Sequence, residues 1–214
     1  SYHGNDALTA NSNSMDREMS GNYWFCSKEG VSIFNPQKQL YKYTILDKKQ
    51  NIVCGVSTPE GRIIFATIAG LIEYEPTSGK IKNFIIPGAD NIKTLTVLKD
   101  TLVAAGNNYF IFYDLIKHTV INRLSFNGTS QFQIKDHANN LWIGTWGKGL
   151  YKYDRKTLLH FAADSFPSSG ILKNSLVCAT SGLNNLWIGY NGGGGFAKYN
   201  YNTNNFTNYK ITLP

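Results

Sequence analysis

Charged residues are scarce in this 214-residue chain: Asp, Glu, Lys and Arg together make up 16%, against about a quarter in an ordinary soluble domain. Solubility must come from Asn, Ser, Thr, Gly and Tyr, which favour turns and strands. Ala and Glu, the staples of long soluble helices, are sparse, and a helical protein is therefore disfavoured. No apolar run approaches the about 18 to 20 residues that a membrane-spanning helix needs, and no basic-then-apolar leader opens the chain. A leader removed ahead of Ser1, or a span beyond Pro214, is compatible with that. The three cysteines, Cys26, Cys54 and Cys178, are odd in number and follow no metal or redox spacing, which excludes a disulfide framework. Cys54 and Cys178 end the apolar runs Ile52-Val-Cys and Leu176-Val-Cys, where small buried hydrophobes are expected.

What is present is apolar and aromatic. Hydrophobic residues reach 42% and aromatic residues 14%, enough for a packed core and too much for disorder. The net charge of +7 raises nucleic acid as a partner, but a polyanion rewards clustered bases. Here only Arg17, Arg62, Arg123 and Arg155 are arginines, and the lysines are scattered, with Asp47-Lys-Lys-Gln50 the densest spot. Nucleic acid is excluded, and a diffusely cationic surface that attracts acidic ligands remains.

The chain repeats itself. Gly21-Asn-Tyr-Trp-Phe-Cys-Ser-Lys-Glu-Gly-Val-Ser-Ile-Phe-Asn-Pro36 aligns without a gap on Gly61-Arg-Ile-Ile-Phe-Ala-Thr-Ile-Ala-Gly-Leu-Ile-Glu-Tyr-Glu-Pro76, an offset of 40. A third copy follows at 39, with Val103 in the place of Ile64 and Tyr113 in that of Tyr74. The clearest copies are Asn140-Leu-Trp-Ile-Gly-Thr-Trp-Gly-Lys-Gly-Leu-Tyr-Lys-Tyr-Asp154 and Asn185-Leu-Trp-Ile-Gly-Tyr-Asn-Gly-Gly-Gly-Gly-Phe-Ala-Lys-Tyr-Asn200. Each copy reads as four short strands separated by polar turns, the third alternating as in Leu150-Tyr-Lys-Tyr153. Four strands in about 40 residues predict an all-β protein, a β-propeller of about five blades that is complete or a fragment of a larger ring. The expected units are roughly 8–45, 46–86, 87–126, 127–162 and 163–214. They form a single propeller domain or part of one.

The stretch Asp136-His-Ala-Asn-Asn-Leu-Trp-Ile-Gly-Thr-Trp-Gly-Lys-Gly-Leu-Tyr-Lys-Tyr-Asp154 resembles the two-component-regulator propeller repeat, D-x-x-G-N-L-W-I-G-T-x-G-G-L-x-x-Y-D-P. Ser168-Ser-Gly-Ile-Leu-Lys-Asn-Ser-Leu-Val177 is similar to its lead-in, and Leu8-Thr-Ala-Asn-Ser-Asn-Ser-Met15 is a weaker echo. The resemblance covers essentially the whole chain, although the second copy has lost the Trp and the third keeps little beyond Val103, Gly106 and Tyr113-Asp114. It implies the periplasmic or extracellular sensor region of a hybrid two-component receptor, with oligosaccharides as the signal class and any kinase outside this chain. Asp136 to Trp142 also resembles half of a sialidase Asp box. Gly21 to Phe25 matches the punctuation of streptogramin-lyase-like propellers, the nearest enzymatic alternative.

Chemistry is hard to find. A lyase of that kind would need a His base and a metal-supported carboxylate at one end of the propeller. His3 is in the tail, His118 and His160 fall in outer-strand regions, and His137 sits in a turn beside Asp136. No metal spacing, nucleophile motif or phosphate cradle follows, and Gly192 to Gly195 reads as an insertion in the turn between second and third strands. No cofactor is expected. Trp24, Trp142 and Trp187 hold equivalent second-strand positions and are expected to pack between blades. Trp146 falls in the turn that follows. In a propeller those turns ring the mouth of the channel, where an exposed Trp146 beside Lys148 can stack on a sugar while the ammonium pairs with an acid group. The same turns nominate Lys28, Glu29, Asn107, Asn108, Tyr190 and Asn191. The expected function is non-catalytic ligand sensing, with an oligosaccharide or small acidic ligand as partner, alongside the remaining propeller and receptor segments of a longer protein; a homodimer is compatible with it. A purely structural or protein-interaction propeller is the alternative.

Overall fold

The computed structural model describes residues 12–17, 20–27, 30–44, 51–163 and 170–211. Among them every regular element is a strand, and no helix is long and apolar enough to cross a membrane. The chain divides into two compact units, residues 1–106 with 110–123 and residues 107–109 with 124–214.

In the first unit, β1 (Ser12–Arg17), β2 (Tyr23–Ser27), β3 (Val31–Asn35) and β4 (Leu40–Thr44) form one sheet in chain order. A second follows from β5 (Ile52–Ser57), β6 (Ile63–Thr67), β7 (Gly70–Glu75) and β8 (Lys80–Phe84). Next come β9 (Thr94–Leu98), β10 (Thr101–Ala105) and β11 (Asn107–Asp114), paired antiparallel. β12 runs unbroken from Thr119 to Lys135, so the boundary expected at 126–127 lies inside a strand. In the second unit the later part of β12 pairs with β13 (Leu141–Trp146), followed by β14 (Leu150–Tyr153) and β15 (Leu158–Phe161). The last sheet is β16 (Leu176–Ser181), β17 (Asn185–Tyr190), β18 (Phe196–Asn200) and β19 (Asn205–Tyr209). Antiparallel four-stranded meanders laid down one after another are the blades of a β-propeller, and that is the fold.

Three local devices recur and explain the repeat. The first strand of a blade carries a bulge, between Ser12 and Ser14, Ile52 and Cys54, Ser130 and Phe132, and Leu176 and Cys178. The turn from second to third strand closes on a glycine carbonyl. Gly30 O accepts from Ser27 N at 2.9 Å, Gly70 O from Thr67 Oγ1 at 3.0 Å, Gly149 O from Thr145 Oγ1 at 2.7 Å and Gly195 O from Tyr190 N at 3.1 Å. Glycine is required there: φ is +80° at Gly149 and +81° at Gly195, and a Cβ would lie 2.2 Å from Phe161 O or 1.9 Å from Tyr209 O on the fourth strand. The turn from third to fourth strand is held by an Asx acceptor. Asp154 Oδ1 takes Lys156 N at 2.9 Å and Thr157 N at 2.7 Å, Asp114 Oδ1 takes Ile116 N and Lys117 N, and Asn200 Oδ1 takes Asn202 N and Thr203 N. Short polar side chains are favoured at that position because they mimic a backbone turn.

The core lies between sheets. In the first unit Trp24, Cys26 and Val31 of one sheet are buried with Ile52, Ile63, Phe65, Ile72 and Tyr74 of the next. In the second, Trp142 and Leu150, flanked by Phe132, Ile134 and Phe161, meet Leu176, Leu186, Ile188 and Tyr199. Trp142 is fully buried, with Tyr199 edge-on at 4.8 Å and Lys152 Nζ 5.1 Å from its ring. Gly144 stands where a Cβ would strike the Phe132 ring at 2.1 Å, so the Trp-Ile-Gly triplet both supplies the indole and clears room for the first-strand aromatic beside it. Two expectations need correction. Cys178 is exposed, because it lies on the same face as Trp187, which is itself 37% exposed where Trp24 and Trp142 are buried; Cys54 follows the same bulge on a covered face and is buried.

Burial pushes the Cys26 thiol up to about 11 and that of Cys54 further, so both are inert packing groups at neutral pH. Gly149→Ala is expected to cost about 2 to 4 kcal/mol in a denaturant melt, through the left-handed backbone and the Phe161 carbonyl, whereas Gly147→Ala, with φ +77° but open space around it, costs about 1 kcal/mol. The Asp154 carboxyl is held down to about 2 by the Thr157 and Lys156 amides and the Thr157 hydroxyl. Because its folded value lies below its unfolded one, its stabilisation is complete above about pH 4 and lost as pH falls through about 2. An NMR titration should place its midpoint near 2, and Asp154→Asn should lower Tm at neutral pH but not at about pH 1.5.

Candidate functional site

In the second unit the turn nominated by sequence is built as follows. Trp146 is the last residue of β13, in register with Thr129 of β12; it is a strand residue, not a turn residue, and 52% exposed. The chain reverses through Gly147 and Gly149, both at positive φ, and the reversal is closed at Thr145, whose N and Oγ1 both donate to Gly149 O. Lys148 stands exposed at the tip, with its stem over Gly128, where a Cβ would lie 3.0 Å from Lys148 Cβ. Gly128 N donates to Asn108 Oδ1 at 2.8 Å. Asn107 and Asn108 are exposed at the start of β11, Asn108 with φ of 63°. Trp146, Lys148 and Asn108 thus all meet the Gly128–Thr129 stretch of β12.

Sequence reasoning missed two members of its support. His160 of β15 donates Nε2–H to Lys148 O at 2.6 Å and stacks on Tyr151 at 4.3 Å and 8°, so a residue from the outermost strand fixes the tip of the turn. Asn174, in the lead-in to β16, accepts from Gly149 N at 2.8 Å through its carbonyl and from Ala163 N at 2.7 Å through its side chain. That gives the Asn-Ser pair a physical task, since Ser175 O likewise accepts from Asn191 N at 3.0 Å.

The other nominated residues separate. Tyr190 is buried at 6% exposure; its hydroxyl donates to Asn208 Oδ1 at 2.6 Å and accepts from Leu172 N at 2.9 Å, and burial pushes the phenol up. It pins the loop before β16 and presents no hydroxyl hydrogen to a ligand. Asn191 is half-buried, and Lys173 lies across the glycine run after it, Nζ donating to Gly192 O at 3.0 Å. Lys28 and Glu29 lie outside the described residues.

The remaining chemistry-bearing cluster is structural. Asp136 is 2% exposed and accepts four bonds: Ala138 N at 3.0 Å and Asn140 N at 2.8 Å on Oδ1, Asn140 Nδ2 at 2.8 Å and Trp142 Nε1 at 2.9 Å on Oδ2. One carboxylate therefore folds the turn before β13 and orients the buried indole. Burial first and the Asp136 charge second push the Tyr199 phenol up. His137 sits edge-on to Tyr201 at 5.1 Å. Among the described residues no three His, Cys, Asp or Glu side chains converge as metal ligands.

No protein-family profile matches the sequence, and no curated protein does. Solved structures do. The extracellular domain assigned to the hybrid two component system BT3049 of B. thetaiotaomicron superposes with a TM-score of 0.75 at 16% identity, over 100% of this chain and 31% of that one. The extracellular domain assigned to the hybrid two component system BT4673 of the same organism gives 0.75 at 17% identity, over 97% and 29%. The WD40 repeats of RRP9 give 0.75 at 8%, over 95% and 65%. The chain shares their fold. It spans less than a third of the length of the two bacterial domains.

Asp136→Ala is expected to lower stability by about 2 to 4 kcal/mol, because it strands the buried Trp142 N–H and unties the turn. Asp136→Asn, which keeps an oxygen for the two backbone donors, should recover part of the loss in the same urea titration.

Proposed function

We propose that this chain is a non-catalytic, ligand-binding part of a propeller in the extracytoplasmic, periplasmic-side region of a two-component sensor, acting within a longer polypeptide and responding to an oligosaccharide. The repeat resemblance and the fold shared with the two bacterial extracellular domains support the sensor setting. The ligand face rests on one observation: Trp146 is half exposed on the end of a strand whose following turn is fixed from three sides, by Thr145, His160 and Asn174.

An indole held open costs solvation, and a fixed backbone beside it lowers the ordering cost of stacking on it. Sugar rings present apolar C–H faces to such a surface, while Lys148 supplies a cation for a uronate or sulfate, and Asn107 with the Asn108 amide supplies neutral donors. Ligand binding then biases how this part packs with the rest of the receptor, which is all that a sensor needs.

A protein-interaction propeller is a second reading, favoured by Ile68 at 65% and Ile85 at 71% exposure. They stand at or beside a cleft of about 350 Å³ lined by Thr67, Gly70, Leu71, Asn83, Phe84 and Ile85, and Ile68 takes the place in its blade that Trp146 holds in its own. Thermal-shift screening against neutral and acidic oligosaccharides separates the two. A binder present at about 100 times its Kd should raise stability by about 2.7 kcal/mol. Trp146→Ala should weaken it at least about tenfold, and His137→Ala should leave it unchanged. No shift with any saccharide, or a shift that survives Trp146→Ala, would overturn the oligosaccharide site.

A further inference from the structure

The last sheet has two unequal faces. One carries Leu186, Ile188, Ala197 and Tyr199, all buried against the preceding sheet. The other carries Cys178 and Thr180 on β16, Trp187 and Gly189 on β17, Phe196 and Lys198 on β18 and Tyr209 on β19, placed together by the registers Cys178↔Gly189, Thr180↔Trp187, Trp187↔Lys198, Gly189↔Phe196 and Phe196↔Tyr209. Its aromatics are assembled: Phe196 and Tyr209 stack at 4.8 Å, Trp187 lies 5.7 Å from Phe196 and 6.1 Å from Tyr209, and Lys198 Nζ is 5.8 Å from the indole. Yet Trp187 and Tyr209 are each 37% exposed and Val177 41%.

Position by position this is the face that the preceding sheet buries. Trp142 corresponds to Trp187, Gly144 to Gly189, Leu150 to Phe196, Lys152 to Lys198 and Phe161 to Tyr209, from the registers Trp142↔Lys152, Gly144↔Leu150 and Leu150↔Phe161. There the indole is fully covered by the sheet that follows in the chain, through Leu186 and Ile188 of its second strand and Tyr199 of its third, edge-on at 4.8 Å. The first unit repeats the arrangement. Trp24 meets Phe65 at 6.2 Å and, edge-on at 5.7 Å, Tyr74, and Tyr74 pairs with Ile63 as Tyr199 pairs with Leu186.

We infer that the Trp187 face is a blade-docking surface, covered by a further four-stranded unit of this repeat from the same polypeptide. That unit presents apolar side chains on its second strand and a Tyr on its third, edge-on to Trp187. The occupant follows from the internal precedent: both covered indoles are covered by the next unit of their own chain, with the same Trp–Tyr pair. The inference rests on the proposal that the chain belongs to a longer propeller and not on the oligosaccharide site, and its test reads no ligand.

Cys178 provides the measurement, since its Sγ lies 2.7 Å from where a Gly189 Cβ would be and the other two thiols are buried. Iodoacetamide labelling at neutral pH, read by peptide mass spectrometry, should modify Cys178 in the 214-residue chain and at least about tenfold more slowly in the intact protein from its source. Trp187→Asp in the intact protein should restore fast labelling; should that variant misfold, the wild-type comparison still decides. Equal rates in the two proteins would overturn the inference. Protection that vanishes on dilution as the mass halves would also overturn it, assigning the face to a second copy.

Discussion

A four-stranded antiparallel sheet with apolar residues on both sides cannot stay wet on either, and the rest of this structure answers that constraint. Alternation along each strand gives every blade two apolar faces, and only another blade offers a surface of the same twist and size. The Trp-Ile-Gly triplet is the densest expression of this. Trp142 projects to one neighbour, Leu141 and Ile143 to the opposite side, and Gly144 leaves a shelf for Phe132. In the last blade the same shelf holds Cys178, a smaller side chain, beside an indole that is only partly covered.

Stacking blades makes demands on the turns, because the fourth strand must come close enough to pair while the second and third reverse tightly. The glycine that opens the third strand resolves this. At Gly149 and Gly195 the fourth-strand carbonyl occupies the space a Cβ would need, so no other residue fits. The residue that enters the turn, Ser27, Thr67, Thr145 or Tyr190, then has a fixed acceptor in that glycine's carbonyl, and after Thr67 and Thr145 the next residue, Ile68 or Trp146, is exposed. Lys148 and Trp146 owe their exposure to this packing requirement rather than to any ligand. The position offered as a candidate site is therefore a by-product of the scaffold that different blades fill differently: Ile68 in one, Trp146 in another.

How much of this was legible depended on whether the signal was periodic. Strand positions, blade order and turn residues were readable because alternation and glycine punctuation recur at 39 to 45 residues. The buried indoles Trp24 and Trp142 followed from their shared register. The bulges were hidden, since an extra residue in a first strand leaves no compositional mark, and Cys178 was misplaced because an apolar run shows which face a residue takes but not whether that face is covered. The unbroken β12 was hidden too, because the third copy before it keeps little of the repeat beyond Val103, Gly106 and Tyr113-Asp114. Asp136 was seen beside His137 as possible chemistry, but its four neutral donors became visible only with the turn folded around it. For the candidate site, Trp146 and Lys148 could be nominated from position alone. His160 could not, because it reaches the turn from another strand.

The fate of Trp187 shows how far repetition can be pressed as evidence. Equivalent sequence positions in a tandem array experience equivalent surroundings only when both neighbours are present. A shared motif therefore fixes what a side chain can contact and leaves open whether it does. Trp142 and Trp187 have the same strand, the same lysine over the ring and the same glycine two residues on. Beyond the smaller Cys178 and larger Phe196 beside it, what sets Trp187 apart is cover: Leu186, Ile188 and Tyr199 of the following sheet close over Trp142, and Trp187 stays 37% exposed. Where a repeat array leaves a motif residue half exposed, the missing contact can be specified atom group by atom group from its covered siblings, which turns an exposed aromatic from an anomaly into a description of its partner.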